Sequence, residues 1–389
     1  MFSILDVLLL RQTRVIWQTG RVDEDARLLD QGFEQVRQLL PEGYELKRDG
    51  RAARHLSGIA DAVWLLREPG GVCRELVVAA RTGFTPRTAD LLVGVYERAR
   101  QLTPDPTIIV VAPWLSPRSR EVLAARGLNY VDLTGNVLIR VPRPAVYLRL
   151  QGADRDPTPQ PRGPVRLTGA RANRLVRLLV DVAPPYRMID LARASGLSAG
   201  YVSRSLDALD EQALIRRENR AVVEVDWAAL LRGRASSYDL LRTNDGATFI
   251  APQGAGQLYT RLQDLDERLG HLVVTGSYAA TAVAPIAAPA QLALYTDDPA
   301  AVRRAAGLLP ADRGADVVLL RAVDASQTDR PRIVDGVTQV GLSQLVLDCL
   351  AGNGRLPAEG EAVLGWMRDH VNDWRLPDLA TATGSEDLG

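Results

Sequence analysis

Histidine, cysteine and lysine are scarce in this chain of 389 residues: three histidines, two cysteines and a single lysine, Lys47. Cys73 and Cys349 stand far apart with no secretory signal, so they read as reduced, packed thiols rather than a disulfide. Neither they nor the histidines show metal-ligand spacing, which argues against a structural zinc. Long apolar runs are absent as well. The opening MFSILDVLLLRQTRVIW is broken by Asp6, Arg11 and Arg14, and it has neither a basic leading region nor a small-residue cleavage site. It predicts no signal peptide and no membrane span, which makes the cytoplasm, and the nucleoid within it, the expected location.

What is present is the composition of a globular protein, 46% hydrophobic and 24% charged. The length predicts two or three domains. A formal net charge of zero conceals an asymmetry. Residues 162–234 hold thirteen arginines against eight acids, a net of +5, whereas residues 235–389 hold twelve against twenty, a net of −8. With one lysine in the chain, arginine content alone is no argument for phosphate binding; its clustering is.

The basic segment contains YRMIDLARASGLSAGYVSRSLDALDEQALIRRENRAVVEVD, residues 186–226. Its spacing predicts a short helix (Met188–Ala194), a tight turn at Gly196 and an N-cap at Ser198 for a second helix (Ser198–Leu209). Val202, Leu206 and Leu209 form one apolar stripe. Ser198, Ala199, Gly200, Ser203 and Arg204 lie opposite it, small or polar groups that let a helix approach a groove, and Tyr201 joins them at the helix start. Leu214 and Ile215 then lead through RRENR into VVEV, two short strands with a basic tip. Helix, turn, helix and wing predict DNA binding. The second helix would enter a major groove, and Arg216, Arg217, Asn219 and Arg220 would set the wing on the backbone or in the minor groove. A leading helix over Leu167–Ala183 is expected, capped at Thr168, stopped at Pro184–Pro185 and buried through Leu175, Leu178, Leu179 and Val182.

Before it, residues 1–151 read as an α/β domain. A helix (Asp23–Leu40) precedes strands at Tyr44–Arg48, Ala60–Arg67 and Glu75–Arg81, the last two joined through Gly70–Gly71. Helices at Thr88–Leu102 and Ser116–Arg126 alternate with strands at Ile108–Pro113, Tyr130–Leu133, Val137–Val141 and Val146–Leu150. This order resembles the restriction-endonuclease-like fold. Such nucleases hold a divalent metal with an Asp on one strand and a Glu-x-Lys on the next. Asp61 could be the first acid, but Ala79 and Arg81 stand where Glu and Lys are needed, so no cleavage is expected. The polar turn Asp132, Thr134, Gly135, Asn136 reads as a plain turn ahead of a ligand contact.

Residues 152–165, with four prolines, read as a linker, 166–231 as the winged helix, 232–374 as a second α/β domain and 375–389 as a flexible tail. In 232–374, helices are expected at Gly254–Leu269, Pro299–Leu308, Ser343–Leu350 and Glu359–Val371, and strands at Ala290–Asp298 and Asp316–Asp324. LVVTGSYAA runs from strand into helix. Its Gly276–Ser277 turn resembles that of nucleotidyltransferases, which need two carboxylates at i, i+2 on the following strand. Gln291 and Ala293 occupy those positions and cannot coordinate Mg²⁺. Asp297 and Asp298 are expected to end the strand and cap the next helix.

The phrases VTGSYAATAVAPIAAPAQLALYTDD, LLPADRGADVVLLRAVD, GLSQLVLDCLAGNGRLPAEGEAVLGWM and WLSPRSREVLAARGLNYVDLTGNVLI resemble bacterial winged-helix regulators grouped with AbiEi-type antitoxins. That resemblance implies a multidomain α/β protein: a degenerate restriction-endonuclease-like domain, a central winged helix-turn-helix and a nucleotidyltransferase-like domain. It also implies transcriptional control, with neutralisation of a toxin as the alternative. A long N-terminal domain ahead of the winged helix departs from the simplest antitoxins and weakens the toxin-partner role. The expected partners are double-stranded DNA and a second copy of the chain. Further candidates are a nucleotide or single-stranded nucleic-acid effector, RNA polymerase and a toxin protein. No enzyme activity, catalytic residue, metal or cofactor is expected.

Overall fold

The computed structural model describes residues 22–383 apart from 57–58, 103–105 and 159–166. The expectation for the opening seventeen residues lies outside that range. The chain divides into two compact units, on either side of Gly163–Pro164.

The first unit carries α1 (Val22–Leu39), β1 (Glu45–Arg48), α2 (Gly50–His55), β2 (Ala62–Arg67), β3 (Cys73–Ala80), α3 (Thr88–Leu102), β4 (Thr107–Ala112), α4 (Pro117–Ala125), β5 (Asn129–Asp132), β6 (Val137–Val141) and β7 (Val146–Leu150). All strands join one sheet in chain order. The pairs β3/β4 and β4/β5 are parallel and the others antiparallel. Helices cover both faces, so the central strand TIIVVA is buried throughout and reads as an unbroken apolar run. Ile109 and Val111 pack with Leu28 and Val36 of α1, whereas Ile108, Val110 and Ala112 pack with Leu92 of α3 and Val122 and Leu123 of α4. Every helix and strand expected here is present. Only α2 lacks a forecast, since GRAARH is too short to show a period.

The second unit starts with α5 (Gly169–Asp181), β8 (Tyr186–Arg187), α6 (Met188–Ser195), α7 (Ala199–Glu211), β9 (Ile215–Glu218), β10 (Ala221–Val225), α8 (Trp227–Ala235) and α9 (Leu240–Thr243). It continues with β11 (Ala247–Ile250), α10 (Ala255–Thr260), α11 (Leu262–Leu269), β12 (Val273–Thr275), α12 (Gly276–Thr281), β13 (Leu292–Tyr295), α13 (Pro299–Ala306), β14 (Leu309–Pro310) and β15 (Val317–Leu320). A 3₁₀ turn (Ala325–Gln327), β16 (Arg332–Val334), β17 (Val337–Gln339), α14 (Leu342–Leu350), α15 (Leu356–Asp369), α16 (Val371–Trp374) and α17 (Leu379–Thr383) complete it. One three-stranded sheet runs β8-β10-β9, and a seven-stranded mixed sheet runs β14-β11-β15-β13-β12-β17-β16.

Two expected boundaries fail. Residue 232 falls inside α8, which packs on both α5 and α14, and one apolar cluster runs without a break from Leu167 to Met367. The segment expected as a winged helix is therefore not a separate bead. Nor is the chain from residue 375 a free tail. Arg375 donates from Nε to the Val180 carbonyl (3.0 Å) and from Nη2 to that of Leu179 (3.2 Å), closing the last turn of α5. Leu376 forms a parallel bridge with Val182, bonded both to Asp181 O and to Ala183 N at 2.7 Å. Helix α17 then packs against α6. The expected helix over 254–269 is two helices, and β11, β14, β16 and β17 were not foreseen. The β16–β17 hairpin did carry a signal: Asp335-Gly336, both at positive φ, is a two-residue hairpin turn.

Removing residues 375–383 exposes the carbonyls at the end of α5 and the apolar contacts of Leu376 and Leu379. A chain ending at Trp374 should unfold at least roughly 2 kcal/mol more easily than one ending at Thr383, measured by urea titration.

Candidate nucleic-acid interface

The helix pair α6 and α7 is set by two local devices. Gly196 adopts φ 64°, ψ 22° and closes α6, its N–H bonded to the Ala192 and Arg193 carbonyls. Ser198 Oγ then accepts the Tyr201 N–H at 3.3 Å and starts α7. Val202, Leu206 and Leu209 are buried as expected, and Ser205 joins them. On the outward side Ser198, Ala199, Gly200 and Arg204 are exposed and Ser203 is half-buried. Arg204 lies back along its helix, Nη1 3.5 Å from where a Cβ on Gly200 would stand. Tyr201 is half-buried against the core, so its ring anchors the helix. Thr168 stands at the start of α5 but makes no side-chain cap bond.

The wing is minimal. Glu218 pairs with Ala221, and the two residues between them, Asn219 (φ 46°) and Arg220 (φ 66°), form a turn of the type I′ kind. Asn tolerates that conformation; Arg does so less readily, and the tight turn imposes it. Cross-strand partners share a face of the sheet. Tyr186, Val222 and Arg217 form the inner row, and Arg187, Ala221 and Glu218 the outer one.

This arrangement separates the wing arginines. Arg217 points inward and its Nη1 meets Asp207 on α7 at 2.5 Å, bracing the wing against the helix. Arg216 is held between Glu224 (2.9 Å) and Glu218. Arg220 is exposed at the tip with no ion pair among the described residues, as are Arg204, Arg171 and Arg187. Other members of the basic cluster face the C-terminal part of their own unit. Arg174 chelates Asp324 at 2.5–3.1 Å, and Arg232 chelates Glu361 at 2.5 and 2.8 Å. Arg177, fully buried, donates to Ser343 Oγ (3.1 Å), the Asp329 carbonyl (2.9 Å) and the Ser326 carbonyl. The charge count thus overstated the basic character of the outer face.

Behind α5 lies a buried polar cluster centred on Asp348 of α14. Its carboxylate accepts from Thr275 (2.7 Å), Gln344 (2.7 Å), Tyr238 (2.9 Å) and Tyr295 (3.0 Å). Gln344 also accepts from Asn173 (3.3 Å), so the network reaches α5. Arg234 lies over the Tyr238 ring, Cζ 4.9 Å from its centroid, with Nε and Nη1 buried and lacking hydrogen-bond partners among the described residues. Tyr238, donating to Asp348 while its ring faces Arg234, stands between the two buried charges. Burial pushes the Asp348 carboxyl up to about 6, against the four hydrogen bonds that lower it.

Neither enzyme-like position brings carboxylates together. Ala293 faces the Gly276 turn, its Cβ 3.5 Å from a Cβ built on Gly276, with Leu356 beside it at 3.7 Å. Gln291 donates instead to the Ala315 carbonyl (3.0 Å), and Asp298 caps α13 through the Ala301 N–H (2.9 Å) while Asp297 is exposed. Ser277 bonds Glu359 at 2.9 Å, and Arg355 meets the same oxygen at 3.1 Å. In the first unit, Asp61 accepts from the Ala80 N–H (2.9 Å) and pairs with Arg81 (2.7 Å), while Ala79 is buried. Asp132 is fully buried and accepts from Leu115 N, from Thr134 N and Oγ1, and from Asn136 N and Nδ2 at 2.7–3.0 Å. That turn is an internal staple. Asn136 extends it by accepting the Gly152 N–H (2.9 Å), where any Cβ would strike the Thr134 carbonyl. Residues 152–154 thus belong to the first unit rather than to a linker. Among the described residues no group of three or more His, Cys, Asp or Glu could hold a metal ion, and no helix is long and apolar enough to cross a membrane.

Comparison with protein-family models, with curated proteins and with solved structures finds no match for this chain.

Asp348 titrates higher folded than unfolded, where its ordinary value is 3.8, so the folded state takes up the proton more readily. Its ionised form is a cost above pH 6 that is relieved as pH falls. Lowering pH from 7 to 5 should therefore stabilise the wild type relative to Asp348→Asn by roughly 1–2 kcal/mol, read from paired urea titrations.

Proposed function

We propose that the chain is a sequence-specific DNA-binding transcription regulator whose reading head is α7 with the Asn219–Arg220 tip. The observation that carries this is the join of two features on one small scaffold. The outward face of α7 begins with Ser198, Ala199 and Gly200, which admit a groove wall closely, and continues with Ser203 and Arg204. Beside it the two-residue wing presents Arg220 without a competing acid among the described residues. In this reading Arg204 contacts a base edge or phosphate, Arg220 lies on the flanking backbone or in the minor groove, and Tyr201 and Asp207–Arg217 hold the helix and wing at a set spacing. Arg216 contributes little, because two carboxylates already neutralise it.

Fluorescence anisotropy on duplexes from the chain's own promoter tests this. Arg204→Ala should lose about 1–3 kcal/mol of binding free energy and relax sequence preference, while Arg220→Ala should weaken binding to all sequences alike and flatten the salt dependence. Unchanged affinity in both variants sinks the assignment. Exchanging the brace charges, Asp207→Arg with Arg217→Asp, should keep most of the affinity that Arg217→Asp alone loses.

A further inference from the structure

We infer that Arg187, on the short strand β8, is a second backbone-phosphate contact that works together with Arg220. This rests on the DNA-binding reading and deepens it. In sequence Arg187 lies 33 positions from Arg220 and belongs to neither the recognition helix nor the wing hairpin. The sheet brings them together. β8 pairs with β10 so that Arg187 stands directly across from Ala221, the residue that follows Arg220. Adjacent strands lie about 5 Å apart, so the two arginine backbones are neighbours at the same end of the sheet. Arg187 is on the outer row, exposed, with no ion pair among the described residues.

The acids nearby are already engaged. Glu218 shares the outer row from the far side of β10 and is tied to Arg216. Asp190, three residues along α6, faces Arg193 at 3.8 Å. Two unneutralised guanidinium groups, one on β8 and one in the tight turn that leads into its neighbour β10, suit successive phosphates of one DNA strand. Their planar forks match phosphate oxygens in a way that Arg216, between its carboxylates, cannot.

The test is a salt series with the full chain and a fluorescent duplex of mixed sequence. Arg187→Gln should weaken binding several-fold and lower the slope of log affinity against log salt by about one. Arg187→Lys should restore most of that slope, Arg216→Gln should leave it nearly unchanged, and thermal midpoints should stay at the wild-type value. An unaltered slope in Arg187→Gln, or an equal fall in Arg216→Gln, overturns the inference. If the wild type binds no duplex, the DNA-binding reading itself fails. If it binds, and Arg220→Ala lowers the slope while Arg187→Gln does not, only the role of Arg187 fails.

Discussion

The second unit depends on how α5 is buried. A helix with a single apolar stripe could have served α6 and α7 alone. Here the helix also carries Asn173, Arg174, Arg177 and Asp181, and these face Asp324, Ser326, Asp329, Arg330, Ser343 and Gln344. Buried ionic and polar groups stabilise only when each is matched, since a lone charge in low dielectric is costly. The matching groups come from the loop after β15 and from α14, so α5 and these elements complete each other's hydrogen bonds. Arg375 and Leu376 finish the job by covering the exit of α5.

That packing also joins the α6–α7 turn to the core of the second unit. Asp348 touches Thr275, the last residue before the Gly276–Ser277 turn, and reaches Asn173 through Gln344. Arg174, held by Asp324, lies with Nη1 4.0 Å from where a Cβ on Gly196 would stand, beside the turn between α6 and α7. Breaking any one of these bonds would leave a buried polar group unmatched, which is costly.

Much of the fold was legible beforehand. β4 shows an apolar run bounded by turn residues, α7 shows a cap followed by a 3.6-residue stripe, and Gly196 marks a turn that needs left-handed backbone. Short elements were not: β14 and α2 have too few residues for any period, and β11 carries a pattern too brief to separate from loop. Helix α7 and the Asn219–Arg220 turn of the candidate site were readable for the same reason as the fold, because each is encoded within a dozen consecutive residues. Nothing local marks Arg187, whose only distinction is a partner strand.

Local sequence determined the helix-turn-helix, the two-residue wing and the absence of paired carboxylates at the Gly276 turn and beside Asp61, because caps, turns, strand alternation and residue identity act over a few neighbours. Only the tertiary structure decided which arginines are available to a phosphate. Arg174, Arg216, Arg217 and Arg232 look alike in a charge count, yet each meets a carboxylate brought from elsewhere in the fold or from across a strand, while Arg177 is buried against the Ser326 and Asp329 carbonyls. Charge is additive along a chain, but its availability is not: Coulomb energy depends on distance and burial, and those exist only once the chain has closed on itself.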